Sequence, residues 1–176
     1  KKARRQHQTI VFIDESGLST RPTRARTWAL RGQTPVLQET FNWKSLSLTG
    51  GLALWRFLFQ IHAGSIKSLQ VIEFLKHLQR QVPGKILILW DGAPIHRSLL
   101  VKNFVAATQG RIQVERLPAD APELNPVEYM WGHLKTHEIA NLIATQAWEL
   151  SLEATAALRR MRRRNSVIAA CYSQAE

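Results

Sequence analysis

Residues 85–91 read KILILWD, an unbroken apolar run from Ile86 to Trp90 that stops at an aspartate. A run this short, rich in β-branched and aromatic residues and without alternation, is a strand buried on both faces, as parallel strands under helices are. Upstream of it, Val71, Leu75, Leu78 and Val82 recur at helical spacing, which predicts a helix from Ser68 that stops at Pro83-Gly84. Downstream, Ser98 caps a helix carrying Leu100, Val101, Phe104 and Val105, and RIQVERL (111–117) is a strand with Ile112 and Val114 alternating. Asn125 and Pro126 form a cap and first-turn pair for a helix with Val127, Met130, Trp131 and Leu134 on its stripe. The Ala, Leu, Glu and Arg-rich stretch from about 144 to 164 is a further helix with a basic C-terminal end.

Towards the N-terminus the pattern is one of strands. QTIVFID (8–14) is a buried strand ending in an acid, and GLSTRPTRART (17–27) is a loop by composition. Trp28 and Leu30 before RGQTP predict a second strand closed by a turn, and SLSLTGGLALWRFLF (45–59) predicts two strands around Gly50-Gly51. The fold class is therefore α/β, a mixed sheet that is antiparallel first and crosses over through helices later.

The chain has 176 residues, 45% hydrophobic and 21% charged, the size and balance of one folded domain. A single domain over 1–176 is expected, with its core at about 8–140 and the basic helix after it. No apolar run reaches the length of a membrane helix, residues 1–8 lack the apolar stretch of a signal peptide, and Cys171 is the single cysteine. A soluble protein of a reducing cytoplasm is the expectation. Lys plus Arg number 24 against 13 Asp plus Glu, a net charge of +11 and a pI near 10.7. The excess is clustered at Lys1, Lys2, Arg4 and Arg5, at Arg21, Arg24, Arg26 and Arg31, and at Arg159, Arg160, Arg162, Arg163 and Arg164. Three basic clusters on one small domain point to nucleic acid, with Arg21, Arg24, Arg26, Arg31, Lys135, Arg160 and Arg163 as expected DNA contacts.

Two of the chain's three aspartates, Asp14 and Asp91, each end an apolar strand and precede a loop. A carboxylate there loses hydration unless donors or a cation replace it, although Asp91 before Gly92 also suits a turn. Glu128 lies at the capping-box position of its helix, beside the apolar stripe, where it either caps the first turn or faces the sheet. If the two strands are neighbours, the three carboxylates converge, and charges that close need divalent cations between them; the order matches a two-metal phosphoryl-transfer site. Other motifs fail. His133, His137 and Glu138 run H-x-x-x-H-E with the glutamate misplaced for a zinc protease, no glycine-rich phosphate loop or nucleophile elbow is present, and the six tryptophans mostly fall in apolar periods and read as core.

The strings VFIDES, TWALRGQTP, LILWDGAPIH and LPADAPELNPVEYMWGHLK stand in this order and resemble the catalytic domain of bacterial insertion-sequence transposases of the mariner-like superfamily, the DDE transposases. The resemblance runs from about Gln8 to Lys135, more loosely over the arginine-rich helix and VIAACYSQAE. It implies an RNase H-like fold with a five-stranded mixed sheet flanked by helices, and an acidic triad at Asp14, Asp91 and Glu128. It also implies two Mg²⁺ ions, replaceable by Mn²⁺, held by those three residues for cutting and joining DNA. His96 matches the family's histidine after the second aspartate and is expected to contact DNA or to support the site. Glu15 should point to the other side of its strand and is left out of the triad.

Such transposases carry helix-turn-helix modules ahead of the catalytic domain, whereas this sequence reaches its first strand within seven residues. The missing DNA-binding module is expected in cis or in trans, transposon ends and target DNA are the expected partners, a homodimer on paired ends is the expected assembly, and the nucleoid is the expected location. A DNA-binding remnant without catalysis and another RNase H-like nuclease stand as alternatives.

Overall fold

The computed structural model describes residues 3, 6–38, 43–118 and 121–175. The basic residues Lys1, Lys2, Arg4 and Arg5 lie outside the described residues. Five strands, β1 (Gln8–Ser19), β2 (Ser45–Ala53), β3 (Arg56–Ala63), β4 (Lys85–Trp90) and β5 (Ile112–Arg116), form one sheet in the order β3-β2-β1-β4-β5. β1, β2 and β3 are antiparallel neighbours, while β4 lies parallel to β1 and β5 parallel to β4. The helices are α1 (Ser68–Gln81), α2 (Leu99–Ala107), α3 (Pro126–His133), α4 (Ala147–Arg162) and α5 (Asn165–Gln174). No helix among the described residues is long and apolar enough to cross a membrane.

Side-chain alternation sorts the core onto two faces. Val11, Ile13, Leu58, Ile86, Ile88 and Trp90 pack with Val71, Phe74, Leu75 and Leu78 of α1 and Val101 of α2. Leu48, Leu52 and Phe57 pack on the other face with Val127, Met130 and Trp131 of α3 and with buried residues of α4 and α5. Ile86, Ile88 and Trp90 of β4 are buried on the first face and Leu87 is buried on the other, in keeping with its continuous apolar run.

The structure corrects five local expectations. β1 runs five residues past Asp14, pairing Leu18 with Leu46 and Ser19 with Ser45, so the loop begins later than its composition indicated. Gly50 and Gly51 do not turn the chain. They lie inside β2, and the hairpin turn falls at Leu54-Trp55, with Leu54 at φ 50°. The reason is close helix packing. A Cβ on Gly50 would stand 2.6 Å from Trp131 Cζ2, and one on Gly51 would stand 3.1 Å from Phe74 Cζ on the opposite face.

The segment around Trp28 and Leu30 forms no strand. Its base is clipped to Asn141, whose side chain accepts from Ala25 N and donates to Ala25 O, while Trp28 is 97% exposed. Trp28, Trp43, Trp55 and Trp148 are all exposed, and Trp90 and Trp131 are the two buried tryptophans, so most of the tryptophans are not core. Finally, the C-terminal basic helix ends at Arg162 and a separate helix, α5, follows and places Ile168 and Cys171 in the core.

Gly50→Ala is expected to cost about 1–3 kcal/mol by overpacking against Trp131. Gly17→Ala, whose Cβ would meet nothing within 4 Å, serves as the control. Urea unfolding of the two variants checks the difference.

Candidate active site

β1 and β4 run parallel with Phe12 beside Leu89, so two residues further along each strand Asp14 and Asp91 reach the same edge on the same face. That face is the one α3 covers. α3 is tied down at its first turn, where buried Asn125 accepts from Val127 N and donates its Nδ2–H to the carbonyl of Ile13, the residue before Asp14. Asn125 therefore supplies the cap, and Glu128 stays exposed on the cleft instead of closing a capping box. One turn on, Trp131 donates its Nε1–H to Asp14 Oδ2 at 2.8 Å. Asp14, Asp91 and Glu128 line one cleft of about 330 Å³ with Gly92, Ala93, Arg116, Leu117 and Asn125. The sheet register and the capped helix thus bring together all three acids selected from the sequence.

Asp14 is 7% exposed, and burial, followed by the charges of Glu128 and Glu15, pushes its pKa from 3.8 up to about 8 despite the Trp131 hydrogen bond. A buried carboxyl beside further carboxylates holds a proton until a cation takes its place. Asp14 Oδ2 is occupied by Trp131, while Asp91 Oδ1 accepts from Ala93 N, so the turn reading of Asp91 holds as well. Asp14 Oδ1 and Asp91 Oδ2 have no hydrogen-bond partner among the described residues. One anchored and one open oxygen on each aspartate, with Glu128 across the cleft, is a hard-oxygen donor set that fits Mg²⁺ or Mn²⁺. Among the described residues the side chains do not close to the spacing of a three-ligand metal group, as mutually repelling carboxylates without a cation would not.

Behind Asp91 stands a brace the sequence reading missed. Glu15 does point to the opposite face, and there its Oε1 lies 3.0 Å from His96 Nε2. His96 Nδ1 is 2.9 Å from Asp91 Oδ1, an ion-pair distance without good hydrogen-bond alignment, and the ring stacks on Trp90 at 4.2 Å. Burial by itself would lower the His96 pKa, but the Glu15 hydrogen bond and the charges of Glu15 and Asp91 outweigh it and hold it above its ordinary value. His96 is thus buried between Glu15, Asp91 and the Trp90 ring. The D-E-S and D-G-A-P-I-H strings contained the partners, but nothing in one strand's alternation says which distant ring waits on its far face.

The basic residues divide. Arg26, Arg31 and Arg163 are exposed, Arg21 stacks over the Trp43 ring at 5.0 Å, and Arg24 is exposed near the Asn141 clip. Lys135, in the turn that follows α3, donates to Ser16 Oγ at 2.8 Å, two residues beyond Asp14 along β1. Arg160 and Arg164 are both spent on Glu138 at 3.0 Å, which removes Arg160 from the free cationic surface. His133 and His137 form a tilted ring pair with centroids 4.9 Å apart, next to a π-turn (Leu134–Glu138) that ends α3.

Sheet order, the parallel β1/β4 pair and a cleft of strand-end and helical carboxylates define the RNase H-like fold with an acidic site. The profile described as DDE superfamily endonuclease matches residues 9–150, and the chain belongs to that family. No curated protein sequence matches the chain. Among solved structures, the fold is similar to the Mos1 transposase paired-end complex with the left transposon end at TM-score 0.64 and 17% identity, over 99% of this chain and 59% of that one. The mariner Mos1 paired-end complex with Mg is similar at TM-score 0.67 and 16% identity, over 98% and 56%. The isolated catalytic domain of Mos1 mariner transposase is similar at 0.56 and 13%, over 99% and 87%. This chain thus spans a little over half the length of the Mos1 chains in the paired-end complexes.

The Asp14 shift carries a pH signature. Its native pKa lies above its unfolded one, so its contribution to stability is complete below about 4 and is lost as pH rises through 8. Without divalent cations, thermal stability is expected to fall between those limits; Mn²⁺ at pH 8 restores it, and Asp14→Asn flattens both responses. Thermal unfolding with and without EDTA checks this. Glu15→Gln is expected to weaken Mn²⁺ binding about 10–100-fold, as loss of a ligand's hydrogen-bonded support does, measured by calorimetry.

Proposed function

We propose that this chain is the catalytic domain of a DNA transposase that cuts DNA at the ends of an insertion sequence and joins the released 3′-hydroxyl to a target. The observation that carries the reading is the convergence of Asp14, Asp91 and Glu128 in one cleft, with one oxygen of each aspartate held by the protein and one left open. Membership of the DDE superfamily endonucleases supports it. So does the likeness in fold to Mos1 transposase, which is known in paired-end and strand transfer complexes.

Asp14, Asp91 and Glu128 would hold two Mg²⁺ ions, with Mn²⁺ as substitute. Bound there, such ions lower the pKa of an attacking hydroxyl and stabilise the leaving oxygen of an in-line displacement. The chain supplies the rest. Trp131 and Asn125 fix Asp14 and the first turn of α3, and the Glu15–His96 brace fixes Asp91. Exposed Arg26, Arg31 and Arg163 contribute positive surface for the DNA backbone, and Lys135 reaches Ser16, two residues beyond Asp14 on β1. Trp28, Leu30 and Val36, exposed between β1 and β2, offer apolar surface for a second copy, in keeping with a dimer on two paired ends.

The test is an oligonucleotide cleavage and joining assay with Mg²⁺, using this domain joined to an end-recognition module. Wild type is expected to nick and then join. Asp91→Asn is expected to lose both and keep salt-dependent DNA binding, with log affinity falling by about 0.9 per log unit of salt for each phosphate neutralised. Nicking without joining would make the chain a nuclease, and DNA binding without either would make it a remnant.

A further inference from the structure

The geometry points to Arg116 as a phosphodiester-binding residue of the carboxylate cleft, a role that neither the sequence reading nor the family match assigns; it rests on the phosphoryl-transfer reading above and deepens it. Arg116 ends β5 in register with Trp90, and Leu117 N donates to Trp90 O at 2.8 Å, so the backbone of Arg116 is fixed beside the residue that precedes Asp91. Its side chain lies across Gly92, and a Cβ at position 92 would overlap the guanidinium Nη2, Cζ and Nε. Gly92 does not have a positive φ, so no turn requires glycine there. What the missing side chain provides is room for the guanidinium to enter the cleft that Asp14, Asp91 and Glu128 line.

Charge makes this placement informative. Arg160 and Arg164 both pair with Glu138 at 3.0 Å, whereas Arg116 forms no ion pair with a described carboxylate although three line its cleft. A guanidinium held near carboxylates without pairing to them keeps its donors for another anion. Its planar fork matches two oxygens of a phosphate, which a lysine cannot span. Arg116 would then share the phosphodiester with the carboxylate-held cations of the same cleft, so that negative charge on the non-bridging oxygens is met by fixed donors as it grows during displacement.

The experiment compares wild type with Arg116→Ala, Arg116→Lys and Gly92→Ala, all confirmed folded by circular dichroism, in Mn²⁺ binding without DNA, in duplex binding across a salt series, and in cleavage at saturating duplex. Arg116→Ala is expected to leave Mn²⁺ affinity undiminished, to reduce the salt slope by about 0.9, and to lower the cleavage rate about 10²–10³-fold. Arg116→Lys should recover the salt slope and little of the rate. Gly92→Ala should lose rate with the arginine still present, and the Gly92→Ala/Arg116→Ala double variant should be no worse than Arg116→Ala. Full cleavage and an unchanged slope in Arg116→Ala would overturn the assignment. A wild type that does not cleave, with the slope still reduced by Arg116→Ala, would overturn the transposase reading and leave the phosphate site standing.

Discussion

The hydrogen bond from Trp131 Nε1 to Asp14 Oδ2 is the point where the core and the site become one object. The indole is nearly fully buried, so its N–H needs an acceptor, and it reaches Asp14 because Gly50 leaves space for the ring against β2. Packing thereby forces a carboxylate out of water, and the energetic consequence is the pKa near 8. A purely structural protein would gain by replacing that aspartate with a neutral acceptor. A site that must bind a hard cation gains from keeping it, because the cation removes the proton and the repulsion together.

Strand parity distributes the remaining roles. Asp14 and Asp91 face α3, while Glu15 faces away and finds His96, which lies under the β4 edge against Trp90. Asp91 is therefore restrained from behind and open in front. Asn125 does for the helix what His96 does for the strand, linking α3 to the carbonyl next to Asp14. The cleft is acidic at its floor while exposed arginines lie on the surface elsewhere, a division suited to a polyanion whose backbone is bound broadly and attacked at one point.

Much of this was legible because its causes are local. KILILW needs cover on both faces, the Val71 to Val82 spacing is helical, and Asn125-Pro126 can hardly be other than a helix start; all three hold in β4, α1 and α3. The acids were legible because strand-end carboxylates lack a packing reason. The misses are tertiary. Gly50-Gly51 read as a turn because local propensity cannot see Trp131 and Phe74 pressing on the two faces of β2. TWALRGQTP read as a strand because nothing in the string shows that its apolar residues stay unburied. Strand alternation puts Glu15 on the correct side but cannot show a partner 81 residues away, nor that Glu138 arrives from the end of another helix to pair with Arg160.

Whether β1, β4 and α3 assemble one divalent-cation site is decided by locating Mn²⁺ through its anomalous scattering in crystals of the wild type and of Asp91→Asn, each with a short DNA duplex. A peak between Asp14 and Asp91 within reach of Glu128, absent from the variant, is expected of such a site. Manganese held elsewhere, or none at the cleft with DNA bound, would contradict it.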